Sequence, residues 1–198
     1  MNQEYWVKEL KNVSLFTEVY EDIKNEKNYE NLKIDFTDDL LSFLDDNKYT
    51  VLEFITAILT IYLSRTNNTK GSIFNYKNKT FYKLNYDKNK SILKHLTDTK
   101  KDIDKFNNHA SDDLRNKIEI LYPEIVDSIY AYSITDFDDE TDYNSIINFK
   151  INQNFVDIHY DINFFADDEI KSFYNNIKTL IANSIKNHDV QCGHHDFL

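Results

Sequence analysis

The chain has 198 residues, 41% of them apolar and 15% aromatic, so it can fold as one domain or lobe with a sizeable core. Its formal net charge is −11, so the chain lacks the basic surface that nucleic-acid binding needs. The same charge is equally unfavourable for binding to an anionic membrane. The single cysteine, Cys192, excludes an internal disulfide framework and suits a reducing cytoplasm. Glu53 interrupts the apolar run that is the best candidate for a membrane span, and the N-terminus has no signal-peptide pattern.

Long helices and strands are expected, because two glycines and one proline are very few for this length. Thr50 and Glu53 form a capping box that opens the most apolar helix, which should be buried on several sides because apolar residues surround most of its circumference. The elements predicted in the first half are helices over 3–11, 38–47 and 50–65, an extended segment at 32–36, and strands or a hairpin at 71–76 and 80–86 with its turn near 78–79.

The second half alternates helices with strands. The predicted elements are helices over 90–107 and 111–120, strands at 125–134, 147–151 and 156–160, and a last helix that Asp167 can cap and that runs to 185. Asp157, His159 and Asp161 alternate with apolar residues, which is typical of a strand with one wet face. The element order predicts an α+β two-layer sandwich, with a mixed or antiparallel sheet packed against helices.

Two helices carry a resemblance to a known family. The first contains Tyr5-Trp6 followed by Leu10, and the later one reads TVLEFITAILTIYLSR over residues 50–65. In this order they resemble the C-terminal lobe of nonribosomal peptide synthetase condensation domains, which belong to the chloramphenicol-acetyltransferase-like superfamily. The resemblance implies that this fold should be found here.

Further matches follow in the family's order, and two of its motifs are damaged. Residues 71–74, Gly-Ser-Ile-Phe, are similar to the start of the family's "GTPV..R" strand, but the "IG.FVNT" motif that should follow has no counterpart before Thr80. His109 and Asp112 retain the histidine and an acid of the "HQD.PFE" segment and lack its Pro-Phe pair. Residues 125–134 and 157–165 resemble two later strands of the family, so the resemblance covers nearly the whole chain.

The resemblance implies a truncated C-terminal lobe over residues 1–187, with 188–198 as a tail or a linker to an adenylation domain. The family's catalytic "HHxxxDG" motif lies in the other lobe, and no acid stands four places after His195 of the adjacent pair His194-His195. We therefore predict no catalytic residue in this chain and no activity when it is alone.

The same resemblance implies a set of site residues and partners. Five residues are predicted to line the substrate tunnel or to support it: His109, Asp112, Ser128, Tyr130 and Tyr132. The last three would share one face of the 125–134 strand, where ordinary packing is the alternative, and His109 could simply be a cap or a satisfied polar residue. No cofactor is expected to bind directly, since the phosphopantetheine arm belongs to a partner carrier protein. The other predicted partners are an adenylation domain and a separate N-terminal condensation lobe, with no nucleic acid and no membrane.

The remaining titratable clusters indicate no metal site. The potential ligands in the tail, among them His188, Cys192 and His194, match no known finger spacing, and the acidic loop 136–142 lacks the glycine of an EF-hand. We interpret both as solvated segments. His95 is expected to be solvated on its helix, and His159 to be a surface or interlobe residue.

Two other functions stay open. A small oligomeric acyltransferase would need a histidine, His109 or His159, that faces a neighbouring subunit. A non-enzymatic acidic interaction protein, such as an inhibitor or immunity protein, would use the net charge of −11 to bind a basic partner.

Overall fold

The computed structural model describes residues 3–17, 27–123, 126–139 and 145–194. Its helices are α1 (Gln3–Glu9), α2 (Asp38–Asn47), α3 (Val51–Thr66), α4 (Ile92–Asn107), α5 (Leu114–Leu121), α6 (Val126–Tyr130) and α7 (Asp167–Lys186). Its strands are β1 (Tyr29–Asp35), β2 (Gly71–Tyr76), β3 (Thr80–Asn85), β4 (Tyr132–Asp136), β5 (Ile147–Ile151) and β6 (Phe155–Asp161). Short 3₁₀ turns lie at Val13–Leu15 and Cys192–His194.

All six strands form one mixed sheet in the order β1-β6-β5-β4-β2-β3. Strand β4 is parallel to both of its neighbours, β2 and β5, and the other three pairs are antiparallel. Helices cover the sheet, so the predicted α+β sandwich with a mixed sheet is confirmed.

The first face of the sheet packs against α3 and α4, and Phe173 of α7 contacts Phe149 of β5 with ring centroids 6.3 Å apart. Every residue of α3 from Glu53 to Ser64 is buried, which confirms that this helix is enclosed on several sides. The capping box that starts it is also present: the Thr50 N–H donates to Glu53 Oε2 over 2.8 Å, and the Glu53 N–H donates to Thr50 Oγ1 over 3.1 Å. The apolar residues of α3 and α7 thus form the centre of the core.

Among the described residues, the apolar groups that cover the second face of the sheet lie mainly over β2 and β3. There Trp6 of α1 meets the ring of Phe81 edge-on, with centroids 5.8 Å apart, and Tyr130 of α6 meets the same ring at 5.2 Å. Lys83 extends across this region and places its ammonium group 4.7 Å from the Phe16 ring centroid. The other half of this face, over β4, β5, β6 and β1, is polar.

One predicted strand is wrong. The segment expected to be extended over 125–134 contains helix α6 from Val126 to Tyr130, and β4 begins only at Tyr132. Its β-branched and aromatic residues favour a strand, but Val126, Ser128, Ile129 and Tyr130 are all buried. Burial of three successive residues fits a short enclosed helix, so tertiary packing overrides local propensity here.

Two boundaries also differ from the predicted ones. The N-cap of α7 is Ala166 rather than Asp167, and the Ala166 N–H donates to Glu169 Oε2 over 2.9 Å. Asp167 instead occupies the first turn, where its charge is favourable beside the helix N-terminus. The β2–β3 turn lies at Lys77 and Asn78, whose φ angles are 54° and 55°, one residue earlier than expected.

The first residues of the predicted tail pack against the domain. The Cys192 N–H donates to the Lys90 carbonyl over 2.8 Å, Gln191 forms a β-bridge with Ser91, and Arg65 donates to the Cys192 carbonyl over 3.1 Å. Residues 195–198 lie outside the described residues, and the boundary at 188 stays a prediction. Among the helices in the described ranges, none is long and apolar enough to cross a membrane.

Candidate functional site

His109 lies in the loop between α4 and α5, where it contacts α1. Its ring stacks on Tyr5, with centroids 3.6 Å apart and an interplanar angle of 16°, and its carbonyl accepts a hydrogen bond from Trp6 Nε1 over 3.3 Å. Asp112 forms an exposed ion pair with Lys79 over 2.8 Å. The contacts of His109 are therefore those of a residue that fixes α1 to the body, and its place in a tunnel stays a prediction.

The three residues predicted to share one strand face do not do so. Ser128 and Tyr130 belong to α6 and Tyr132 to β4, so the expectation of one shared strand face is wrong. The Ser128 carbonyl accepts from Thr17 Oγ1 over 3.2 Å, and the Tyr130 ring lies under the Arg115 guanidinium group at 4.7 Å. Burial raises the pKa of the Tyr130 phenol, which therefore stays neutral.

Tyr132 faces the opposite side of the sheet from Phe81 and Tyr130. It lines a depression of about 340 Å³ where the starts of β4 and β5 meet α3 and α7. Aromatic side chains dominate this depression: Tyr62, Tyr132, Phe164, Phe165 and Phe173. The structure thus separates Tyr132 from the other predicted site residues.

The polar half of the second face carries a connected set of polar side chains, which we call the polar sheet face; Ser133, Thr135, Asn148 and Asp157 in it are buried. Strand alternation and register place on it Asn31, Ser133, Thr135, Asn148, Lys150, Asp157 and His159. Thr135 Oγ1 donates to Asn148 Oδ1 over 3.2 Å, and the Ser133 and Ser145 hydroxyl groups are 2.7 Å apart. Hydrogen bonds between neighbouring strands therefore fix the orientation of these side chains.

An aspartate–histidine pair lies at the centre of this surface. His159 Nε2 is 3.1 Å from Asp157 Oδ2, and Asn31 Nδ2 donates to Asp157 Oδ1 over 2.9 Å. The Asp157 residue is only 8% exposed, whereas the His159 side chain is 31% exposed. An aspartate that holds one imidazole nitrogen fixes the orientation of the ring and leaves the other nitrogen, here Nδ1, for a further hydrogen bond.

Three polar residues are more buried than the sequence predicts. The wet face expected for β6 is wrong for Asp157 and Asp161, since Asp161 is 1% exposed and pairs with Lys27 over 3.4 Å. His95, expected to be solvated, is buried and its Nε2 lies 2.9 Å from the Asp87 carbonyl. The signal that could have revealed His95 is its spacing of three residues from Ile92 on the inner face of α4.

The acidic loop is only partly described. Asp136 pairs with Lys77 and accepts a hydrogen bond from the Tyr76 hydroxyl, and the Asp139 carbonyl accepts from Lys150 Nζ over 3.1 Å. Residues 140–144 lie outside the described residues. Within the described ranges, no three His, Cys, Asp or Glu side chains come together in a way that could hold a metal ion.

No sequence family and no curated protein matches the chain. Solved structures do match it in fold. A four-domain nonribosomal peptide synthetase bound to AMP and glycine aligns with 98% of the chain at a TM-score of 0.73 and 7% identity, over 20% of its own length. The X-domain from teicoplanin biosynthesis aligns with 100% of the chain at 0.71 and 9% identity, over 58% of its own length.

The first condensation domain of the calcium-dependent antibiotic synthetase gives a similar result. It aligns with 97% of the chain at a TM-score of 0.71 and 10% identity, over 54% of its own length. The chain thus has the chloramphenicol-acetyltransferase-like fold found in condensation domains and X-domains, and it spans about half the length of these two domains. The fold predicted from the YW and LEF helices is confirmed, and at these identities the likeness concerns the fold alone.

Proposed function

We propose that the chain is the C-terminal lobe of a condensation-type domain and acts as a platform, supplying one wall of a site that a second lobe completes. The observation that carries this proposal is the extent of the fold match. Nearly the whole chain aligns, while only about half of a condensation domain is covered. This relation is the one expected when a single lobe is compared with a two-lobed domain.

In this proposal the reaction is peptide-bond formation between acyl groups tethered to carrier proteins. Such a reaction needs an oriented amine and a group that accepts its proton. The "HHxxxDG" sequence expected to meet that need is absent from the chain, so the lobe should be inactive alone. The polar sheet face is the wall that we assign to the shared site, because its exposed Asn31 and half-buried Lys150 and His159 side chains can bind a peptide-like substrate.

The proposed partners are the other parts of a synthetase. A separate N-terminal lobe would bring the catalytic histidines, a carrier protein would present the substrate on its phosphopantetheine arm, and an adenylation domain would pack beside this lobe. One matched structure is a complex of the teicoplanin X-domain with OxyB, which supports the idea that this fold also serves as a binding platform.

The test is a condensation assay with loaded donor and acceptor carrier proteins. Product is expected only when a first lobe with an intact "HHxxxDG" motif is added, and not with a first lobe whose second motif histidine is replaced by alanine. Turnover by this chain alone would overturn the proposal. Failure of every candidate first lobe to bind the chain in sedimentation experiments would also count against it.

The Asp157–His159 pair favours a second candidate, a small acyltransferase that uses His159 as its base. This candidate predicts that the chain transfers an acyl group from acyl-coenzyme A and that His159→Gln abolishes the transfer. His109→Gln should leave the transfer in place, because His109 faces Tyr5 instead. Absence of any transfer by the native chain would exclude it.

A further inference from the structure

A second surface feature lies away from the polar sheet face. An open cleft of about 1000 Å³ separates the α2–α3 corner from the chain that follows β4 and the β5–β6 turn. Its lining includes Asp45, Val51 and Leu52 from the corner and Asp136, Phe137 and Asp138 from the opposite side.

The cleft is lined by apolar and uncharged polar side chains, with exposed acidic residues along its rim. Three of its lining residues are aspartates and none is a lysine or arginine. Asp136 is already paired with Lys77, whereas Asp45 and Asp138 are exposed and have no ion-pair partner among the described residues. The rim therefore carries two carboxylates that a cation from outside the chain can pair with.

Phe137 gives the cleft an apolar anchor. It is 38% exposed, and its ring is held edge-on against Phe155 with centroids 4.8 Å apart. Val51 and Leu52 are half-buried on the other wall. An ordered aromatic ring beside such aliphatic groups is the kind of surface that anchors a partner's side chain.

The size of the cleft selects the class of occupant. Enclosed pockets for small molecules have volumes of roughly 300–1,000 Å³ and surround most of their ligand. This cleft reaches the upper limit of that range and is open to solvent. A length of polypeptide fits such a surface better than a compact metabolite does.

We propose that this cleft docks a basic, apolar segment of a partner protein. Its Lys or Arg side chains pair with Asp45 and Asp138, and its apolar side chains cover Phe137 and Leu52. The N-terminus of α3 borders the cleft and disfavours a cation, and the Glu53 carboxylate that accepts the Thr50 N–H is already paired with Lys100 over 3.6 Å, so the two aspartates must outweigh this end of the helix. The proposal is independent of the platform function, because it uses none of the polar sheet face.

The test is to select, from a phage-displayed library of random 12-residue peptides, those that bind the native chain. The expected result is enrichment of sequences that combine Lys or Arg with Leu or Phe. Asp45→Asn/Asp138→Asn should weaken the binding of a selected peptide roughly two- to thirty-fold, since two exposed ion pairs are lost. The matched control is Asp39→Asn/Asp46→Asn, which removes the same charge from exposed positions of α2 outside the cleft and should retain binding.

Three results would overturn the proposal. The first is no enrichment over selection on the Asp45→Asn/Asp138→Asn variant. The second is enrichment of acidic or uncharged sequences, which would show that the end of α3 dominates the cleft. The third is displacement of the selected peptide by spermidine at concentrations comparable with the peptide's Kd, which would assign the cleft to small polycations.

Discussion

The imidazole ring of His109 lies parallel to the phenol ring of Tyr5, with centroids 3.6 Å apart. Tyr5 in turn meets Trp6 edge-on at 5.2 Å, and Trp6 stacks on Phe106 at the end of α4. The two sequence signals, the Tyr5-Trp6 pair and His109, thus meet in space although about a hundred residues separate them. Their contact joins the first helix to the α4–α5 loop.

The first prediction follows from this contact. His109→Ala should lower the free energy of unfolding by about 0.5–1.5 kcal/mol, the usual contribution of a stacked aromatic pair. His109→Phe, which retains a ring against Tyr5, should lose less. Urea denaturation of the three proteins measures the difference, and equal stability of His109→Ala and the native chain would contradict the stacking role.

The second prediction concerns the buried pair between Lys27 and Asp161. The Asp161 carboxylate also accepts from the Asn28 N–H over 3.2 Å and from the Asn163 N–H over 3.1 Å, and the Lys27 ammonium group lies 4.7 Å from the Phe164 ring centroid. Asp161→Ala should destabilise the fold by about 3–5 kcal/mol, because it leaves a buried ammonium group without its counter-ion.

A double variant separates the charge from the hydrogen bonds at this site. Lys27→Met/Asp161→Asn removes both charges and retains an acceptor for the two backbone N–H groups, so it should recover much of the loss. Thermal and urea unfolding would show this. If Asp161→Ala and the double variant were equally unstable, the attraction between the two charges would be the main contribution, because neither the retained hydrogen bonds nor the removal of the unpaired ammonium group would have restored stability.

The third prediction is a pH dependence of stability from His95. Burial lowers the pKa of the His95 imidazole, against smaller opposing effects from the Asp87 carbonyl and the Asp98 carboxylate. The unfolded chain therefore binds a proton at higher pH than the folded chain does. The stability contribution is complete above the unfolded pKa, about 6.5, and is lost as the pH falls toward the lower folded value.

His95→Gln isolates this contribution. The glutamine amide can still donate to the Asp87 carbonyl, but it does not titrate. The free energy of unfolding should fall more steeply between pH 7 and pH 5 for the native chain than for His95→Gln. Parallel pH profiles would show that His95 is accessible to solvent.

Local signals explain what the sequence could predict. Helix α2 was predicted over 38–47 and occupies those residues, because its apolar period is regular and Thr37 accepts from the Leu40 N–H at its start. The β2–β3 hairpin was recognisable because Lys77 and Asn78 follow a run of strand-forming residues. In both elements the decisive contacts lie within a few residues of one another.

The misses have non-local causes. A short apolar run cannot be assigned to a helix or a strand by periodicity alone, and α6 differs from the predicted strand because it packs against β2. The partners of Asp157 and Asp161 come from Asn31 and Lys27 at the other end of the chain. The polar sheet face could therefore not be found from sequence, since it exists only once β1 pairs with β6.

The last prediction concerns Cys192, in the segment expected to be a solvated tail. Burial raises the pKa of its thiol to about 12, and its carbonyl and N–H are held by Arg65 and Lys90. Only the thiolate reacts, so the raised pKa and the burial of the thiol should together slow its reaction with Ellman's reagent at pH 8 by at least roughly a hundredfold relative to an exposed thiol.

The control is the same reaction in 8 M urea, where the exposed thiol should react fully and quickly. Arg65→Gln removes the charged donor to the Cys192 carbonyl, and it should speed the reaction of the folded protein by loosening the segment from the end of α3. Because the thiol is the only one in the chain, its reactivity reports on this segment alone. Rapid reaction of the native protein without urea would show that the residues after α7 detach from the domain in solution, as a linker to a following domain would.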